Sequence, residues 1–346
     1  MLCDPAFRGV VDAFRDGVGA GGAALCVRVD GRVVVDVWHG TRDADQVEPW
    51  LPDTAVNVFS VTKGVLATVA HRLVATGALD LDAPVARYWP EFRAEVTVAQ
   101  LLDHQAGLPA VRAPLPVGSH YDWDAMTTAL AAEEPWWEPG TRHGYHALTF
   151  GWLVGEVLRR VTGSRVRDLV APLGVTIGWP GPGDPADVLA PEPVASALPP
   201  SEIVLKAFAN PLDLGAPDVN GARWRQAEIP AANGHATARA LAALYGRIGE
   251  LLPADVLDRA AAPHSDGVDE VLGGRTRFGL GYMLPNELRP YSPNPRAFGH
   301  TGAGGALAFA DPDRGIAFGY TPNRLVVTPA GADPRWLSVV GAVYSA

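Results

Sequence analysis

The sequence predicts an α+β protein: an antiparallel sheet flanked by N- and C-terminal helices, joined to a mostly helical second lobe across a cleft. Three features carry this expectation. An amphipathic stretch at the start precedes two β-rich runs joined at Asp30-Gly31. Strand-like runs return late in the chain and end in a last helical stretch. The intervening residues follow mainly helical patterns, so strands from both ends build the sheet and the middle is inserted. The expected division is residues 1–80 with 261–346 for the sheet lobe and 81–260 for the helical lobe.

Taken in order, Phe7, Val10, Val11 and Phe14 recur at helical spacing, which predicts a helix over 4–17 that stops at Gly17 or Gly19. Ala23 to Val29 and Val33 to Trp38 read as strands, and an Asp-Gly turn between such runs signals a hairpin. A strand-like run from Ala55 to Phe59 leads into a helix from Val61 to Ala75, with Gly77 as its C′ residue. Thr97 and Gln100 form a capping-box pattern that starts a short helix running through His104 and ending near Gly107. Helices follow over Thr149–Val161 and Ser164–Val170. Residues 171–222 are rich in Pro and Gly (Trp179-Pro180-Gly181-Pro182-Gly183, Pro191-Glu192-Pro193, Pro199-Pro200), which suits either a site-covering loop or a surface excursion. Thr237–Glu250 reads as a helix. Phe278–Met283, Arg296–Thr301, Ala306–Ala310 and Gly315–Tyr320 read as strands, and Asp333–Tyr344 as the closing helix.

With 48% apolar and 19% charged residues over 346 positions, the chain has the composition of an ordered globular protein. Its formal net charge of −10 argues against nucleic acid or an anionic membrane as its main partner. Cys3 and Cys26 are too few for a disulfide scaffold. The first nineteen residues carry charges at Asp4, Arg8, Asp12, Arg15 and Asp16 without an apolar core, unlike a signal peptide, and no apolar run is long enough to span a membrane. The expectation is a soluble, cytoplasmic protein.

Chemistry concentrates first at Phe59-Ser60-Val61-Thr62-Lys63-Gly64. A serine at a helix N-terminus shares a face with a lysine three residues on, and the free N–H groups of the first turn suit an oxyanion. Such spacing also arises by chance, with Ser60 as a plain N-cap and Lys63 as an exposed first-turn residue. Usage sharpens the motif. Of 28 basic residues only Lys63 and Lys206 are lysine. Lysine can lose its proton on burial and act as a base, which arginine cannot. Three further stretches could join this pair. Gly144-Tyr145-His146-Ala147, after Trp136-Trp137-Glu138-Pro139-Gly140, could supply a proton-relaying tyrosine, or one that only packs at a helix start. Gly299 to Gly305 could supply oxyanion donors, or only a glycine-rich turn. Asn233-Gly234-His235 could be a turn and cap. His143 and His146 stand three apart, but no third ligand follows at a usual spacing, so neither metal nor cofactor is expected.

Together these stretches resemble the serine β-lactamase and penicillin-binding-protein superfamily, most closely the family VIII carboxylesterases related to class C β-lactamases. Ser60-Val61-Thr62-Lys63 matches the first motif, Tyr145-His146-Ala147 the second (Tyr-x-Asn in the lactamases) and His300-Thr301-Gly302 the third (Lys-Thr-Gly). Leu101 to Pro109, Trp137-Glu138-Pro139-Gly140 and Gly151 to Glu156 also match segments common in the group, and order and spacing agree from about residue 10 onward. The resemblance implies a β-lactamase-like fold, with Ser60 as nucleophile and Lys63 and Tyr145 sharing the proton transfers. It also implies an oxyanion hole from the backbone N–H groups of Ser60 and Ala303, and substrate contacts from His300, Thr301 and Gly302. Trp136 and Trp137, with Trp123 and Trp152 nearby, are expected in an apolar acyl or alcohol pocket. Ala147 replaces the lactamase asparagine and His300 the carboxylate-pairing lysine, and no Glu-x-x-Leu-Asn segment is present. These departures favour small or medium esters over β-lactams. The expected partner is a small-molecule ester or acyl donor. An acyltransferase, a D-amino-acid peptidase or amide hydrolase, and a catalytically silent binding protein are the alternatives.

Overall fold

A computed structural model describes residues 1–179, 183–191, 201–211, 219–326 and 332–346. The expected Pro/Gly-rich stretch falls partly outside them, including Pro180 to Pro182, Glu192, Pro193, Pro199 and Pro200. Six strands make an antiparallel sheet: β1 (Leu2–Cys3), β2 (Gly22–Val29), β3 (Arg32–Gly40), β8 (Phe298–Thr301), β9 (Leu307–Asp311) and β10 (Ile316–Pro322), ordered β1-β3-β2-β10-β9-β8. Two small pairs stand apart from it, β4 (Val56–Asn57) with β5 (His235–Ala236) and β6 (Ser265–Val268) with β7 (Arg275–Phe278). The hairpin between β2 and β3 turns at Asp30 and Gly31, with φ of 48° and 77°. Two such values are what a tight hairpin turn requires.

The twelve α-helices of the described residues are α1 (Arg8–Val18), α2 (Val61–Ala75), α3 (Val98–Leu102), α4 (Trp123–Ala132), α5 (Thr149–Thr162), α6 (Val166–Val170), α7 (Glu202–Phe208), α8 (Ala222–Gln226), α9 (Ala238–Gly246), α10 (Ile248–Leu251), α11 (Ala254–Ala261) and α12 (Pro334–Ser345). None is long and apolar enough to cross a membrane. The sheet alternates, as its period-2 pattern requires. Leu25, Val27, Phe309, Phe318 and Tyr320 point to one face, where Phe14 of α1 and Trp336, Val339 and Val340 of α12 cover them. Small residues point the other way: Ala24 and Cys26 on β2, Ala308 and Ala310 on β9, Ala317 on β10. Gly319 continues this row, and a methyl group there would meet the backbone of α9.

The helix α2 is the axis of the molecule. Every residue from Val61 to His71 is buried, as expected of a helix apolar on all sides. It contacts β8 on the sheet side and α5, α6 and α11 on the other. One apolar cluster therefore joins Ala24 and Cys26 of the sheet to Leu101, Trp152 and Leu158 of the helical region, across the expected lobe boundary.

Several local expectations change. The Ala55–Phe59 strand shortens to β4, because Phe59 takes a left-handed φ of 46° and turns the chain into α2. The capping box at Thr97 and Gln100 forms, but α3 stops at Leu102 because His104 has φ 66°. The Thr237–Glu250 helix breaks at Arg247 into α9 and α10. Phe278–Met283 is not one strand: Gly281, at φ 85°, folds the chain back so that Met283 bridges Phe278 and Gly299. The elements α4, α7, α8, α11 and the β6–β7 hairpin add to the expected set.

Candidate active site

Ser60 stands at the N-cap of α2, yet its hydroxyl makes no capping bond. The turn that presents it is strained at Phe59, a non-glycine residue with positive φ. Thr62 Oγ1 donates to the Phe59 carbonyl at 2.6 Å and accepts from the Gly234 N–H at 3.1 Å, which pins that turn. Lys63 is completely buried rather than exposed. Its Nζ lies 3.0 Å from Ser60 Oγ, 2.7 Å from the Ala147 carbonyl oxygen and 3.0 Å from that of Ala231. No carboxylate pairs with it among the described residues. Burial alone pushes its pKa well below the usual 10.5. A neutral amine has two N–H groups and one lone pair. With two carbonyls taking the hydrogens, the lone pair is left for the Ser60 hydroxyl.

Tyr145 packs its ring 4.7 Å from Lys63 Nζ. Burial pushes its phenol pKa up, while the nearby Ser60 hydroxyl and the Arg289 cation act in the opposite direction. Burial therefore favours the uncharged form of both the phenol and the Lys63 amine. The strand β8 ends alongside, and Thr301, Gly302 and Ala303 line the same cavity as Ser60 and Tyr145. A methyl group at Gly302 would strike the Val58 carbonyl, so only glycine lets this loop approach the Ser60 turn. Neither the Ser60 N–H nor the Ala303 N–H donates to a backbone carbonyl among the described residues, which leaves both for an oxyanion.

This site opens into a cavity of about 510 Å³ with mainly apolar walls, among them Leu148, Phe208, Trp224, Leu272 and Trp336. The family model described as Beta-lactamase matches residues 7–341. The chain belongs to the β-lactamase family. It is 40% identical to the esterase/β-lactamase LipL of Mycobacterium tuberculosis, over 93% of this chain and 82% of that protein. It superposes on a family VIII carboxylesterase with a TM-score of 0.91 and 38% identity, covering 100% of this chain and 98% of that one. A penicillin-binding-protein homologue from Caulobacter crescentus gives a TM-score of 0.90 at 36% identity, with 100% and 98% coverage. This β-lactamase-family chain is a serine hydrolase with the β-lactamase-like α+β fold.

In this β-lactamase-family protein three expected pocket residues fall elsewhere. His300 is buried and is not among the residues lining the cavity; its Nδ1 bonds the Thr301 carbonyl, and burial lowers its pKa to about 3. Trp136 turns away to donate to the Ala110 carbonyl and stack under Arg112, and Trp137 is buried against the edge of His146. Trp123 and Trp152 likewise pack among the helices. The tryptophans of the cavity are Trp224 and Trp336, which lie far apart in sequence and belong to no motif. Asn233 lies beneath the site as a brace: its side chain bonds Trp224, Ala227 and Ile229, shaping the loop that offers the Ala231 carbonyl to Lys63. His143 and His146 are occupied by Thr276 and by Leu108 and Gly144. Among the described residues no group of three or more His, Cys, Asp or Glu is placed to hold a metal ion.

Arg289 was not foreseen. It lines the cavity, and its guanidinium has no hydrogen-bond or ion-pair partner among the described residues. Asp333, the one carboxylate among the described lining residues, is already engaged by Arg335. Nothing local distinguishes Arg289 in a chain that uses arginine for nearly all its positive charge.

Proposed function

We propose that the protein hydrolyses small to medium carboxylic esters through an acyl-enzyme on Ser60. The observation that carries this reading is the buried Lys63 amine, bound by two carbonyls and aimed at Ser60 Oγ. Lys63 takes the Ser60 proton as Oγ attacks the ester carbonyl. The N–H groups of Ser60 and Ala303 hold the resulting oxyanion. As the intermediate collapses, the proton on Lys63 reaches the departing alkoxide through Tyr145, whose phenol gives one proton and regains another. Water then attacks the acyl carbonyl and passes a proton to Lys63; as the acyl–Oγ bond breaks, Lys63 returns a proton to Ser60 Oγ and the acid leaves. The apolar cavity walls suit an acyl or alcohol chain.

Arg289 narrows the substrate. A guanidinium without an ion-pair partner among the described residues, in a cavity with mainly apolar walls, favours esters that carry an acidic group, because a desolvated guanidinium gains most from a carboxylate partner.

The test is covalent labelling with a fluorophosphonate followed by peptide mass spectrometry. The label is expected on Ser60, with Ser60→Ala losing both labelling and about 10⁴-fold or more of ester turnover. A label elsewhere, with turnover unchanged in Ser60→Ala, overturns the reading.

A further inference from the structure

Asp269 follows β6, is fully buried and has no cationic partner among the described residues. A carboxylate in that position is costly unless hydrogen bonds replace its water. Here four do. Oδ1 accepts the backbone N–H groups of Tyr145, Val271 and Leu272, each at 2.9 Å. Oδ2 accepts the Thr276 hydroxyl at 2.9 Å, and Thr276 Oγ1 in turn lies 2.8 Å from His143 Nε2. One carboxylate thus ties the Tyr145 segment to the loop carrying Leu272, and both line the cavity. Neighbouring bonds strengthen the splint: the Glu270 N–H donates to the His143 carbonyl, and the Tyr145 ring lies nearly parallel to Phe278 of β7, at 7°.

We propose that Asp269 is the positioning residue for Tyr145, setting the phenol against Ser60 through the Tyr145 backbone N–H. This rests on the reading of Tyr145 as the relay to the leaving group. A misplacement of about 1 Å at such a relay costs on the order of 10²-fold in rate. The cost depends on the leaving group: an alkoxide needs the proton, whereas p-nitrophenolate departs without it.

The experiment compares kcat/KM for the ethyl and p-nitrophenyl esters of one acid. In Asp269→Ala the ethyl ester is expected to fall about 100-fold further than the p-nitrophenyl ester. Asp269→Asn is expected to stay within about threefold of the native ratio, since the amide oxygen keeps the three N–H bonds and its NH₂ donates to Thr276, whose proton turns to His143. Thr276→Val removes one of the four bonds to Asp269, together with the His143 contact, gives a smaller loss of the same selective kind, and serves if Asp269→Ala fails to fold. An equal loss on both esters in folded Asp269→Ala or Thr276→Val makes Asp269 merely structural and overturns the proposal, as does Asp269→Asn behaving like Asp269→Ala. Tyr145→Phe is the reference. If it shows no leaving-group selectivity, the relay reading of Tyr145 fails and this proposal with it.

Discussion

Burial alone lowers the Lys63 pKa, and this has consequences for both activity and stability. In the proposed mechanism the neutral amine is the base, so kcat/KM is expected to rise with pH through the depressed Lys63 pKa, well below 10.5, and to show no further rise at 10.5. Lys63→Arg is expected to lose at least about 10³-fold, because arginine keeps its proton. The linkage to folding has a definite sign. Below pH 10.5 the unfolded chain binds a proton that the native protein refuses, so native stability falls with falling pH by up to about 1.4 kcal/mol per unit until the folded pKa is reached. Lys63→Met lacks this penalty but leaves the Ala147 and Ala231 carbonyls without a donor. Its stability relative to the native protein should therefore climb as pH is lowered from about 10 to 7, measured by urea unfolding at each pH. Parallel pH dependences for the two proteins would mean that Lys63 is charged when folded. Arg289→Met is expected to lower kcat/KM for a carboxylate-bearing ester by about 10- to 100-fold while leaving its neutral analogue within about threefold. Equal losses on both esters would refute a charge-recognition role. Ser60, Lys63 and Tyr145 were legible in the sequence because a helix turn fixes the first two and short motifs mark all three. Arg289 and Asp269 were not, since their importance comes only from what the fold brings beside them.

Elements were legible where local chemistry decides them. The Asp30-Gly31 hairpin, the Thr97 capping box and the amphipathic α1 all follow from residues within a few positions of one another. Elements fixed by distant partners were harder to read: β4 and β5 are two-residue strands that pair across nearly 180 positions, and His104 takes its left-handed backbone inside a cluster of aromatic rings. The packing of α9 on the sheet illustrates the same division. The alternation of large and small residues on β10 predicts a strand, but only the structure shows that Gly319 lets α9 come into contact. Gly319→Ala puts a methyl group against the Ala238 carbonyl and the Ala242 N–H, both backbone groups that cannot swing aside. Such overpacking is expected to cost about 1–3 kcal/mol, read as a lower urea midpoint at an unchanged slope. An unchanged midpoint would mean that α9 can shift as a body.

At the scale of the whole molecule, the C-terminal helix is joined to the chemistry as well as to the sheet. Asp333 caps α12 by accepting the Arg335 N–H, and the two side chains form a buried ion pair. From there Arg335 donates to the Arg324 carbonyl and to that of Gly304, within the loop that carries the Ala303 N–H. Trp336, the next residue, lines the cavity. The arrangement predicts that stability and activity can be separated. Arg335→Met strands the Asp333 carboxylate and is expected to cost about 3–5 kcal/mol, with kcat falling as the oxyanion loop loosens. Adding Asp333→Asn removes the stranded charge while its side-chain oxygen can still cap α12, so much of the lost stability should return. The Gly304 carbonyl remains untied in the double variant. Its kcat should therefore stay about 10-fold or more below native, with urea unfolding and burst kinetics measured on the same samples. Recovery of kcat together with stability would show that Arg335 acts only through folding and that the loop holds its own shape.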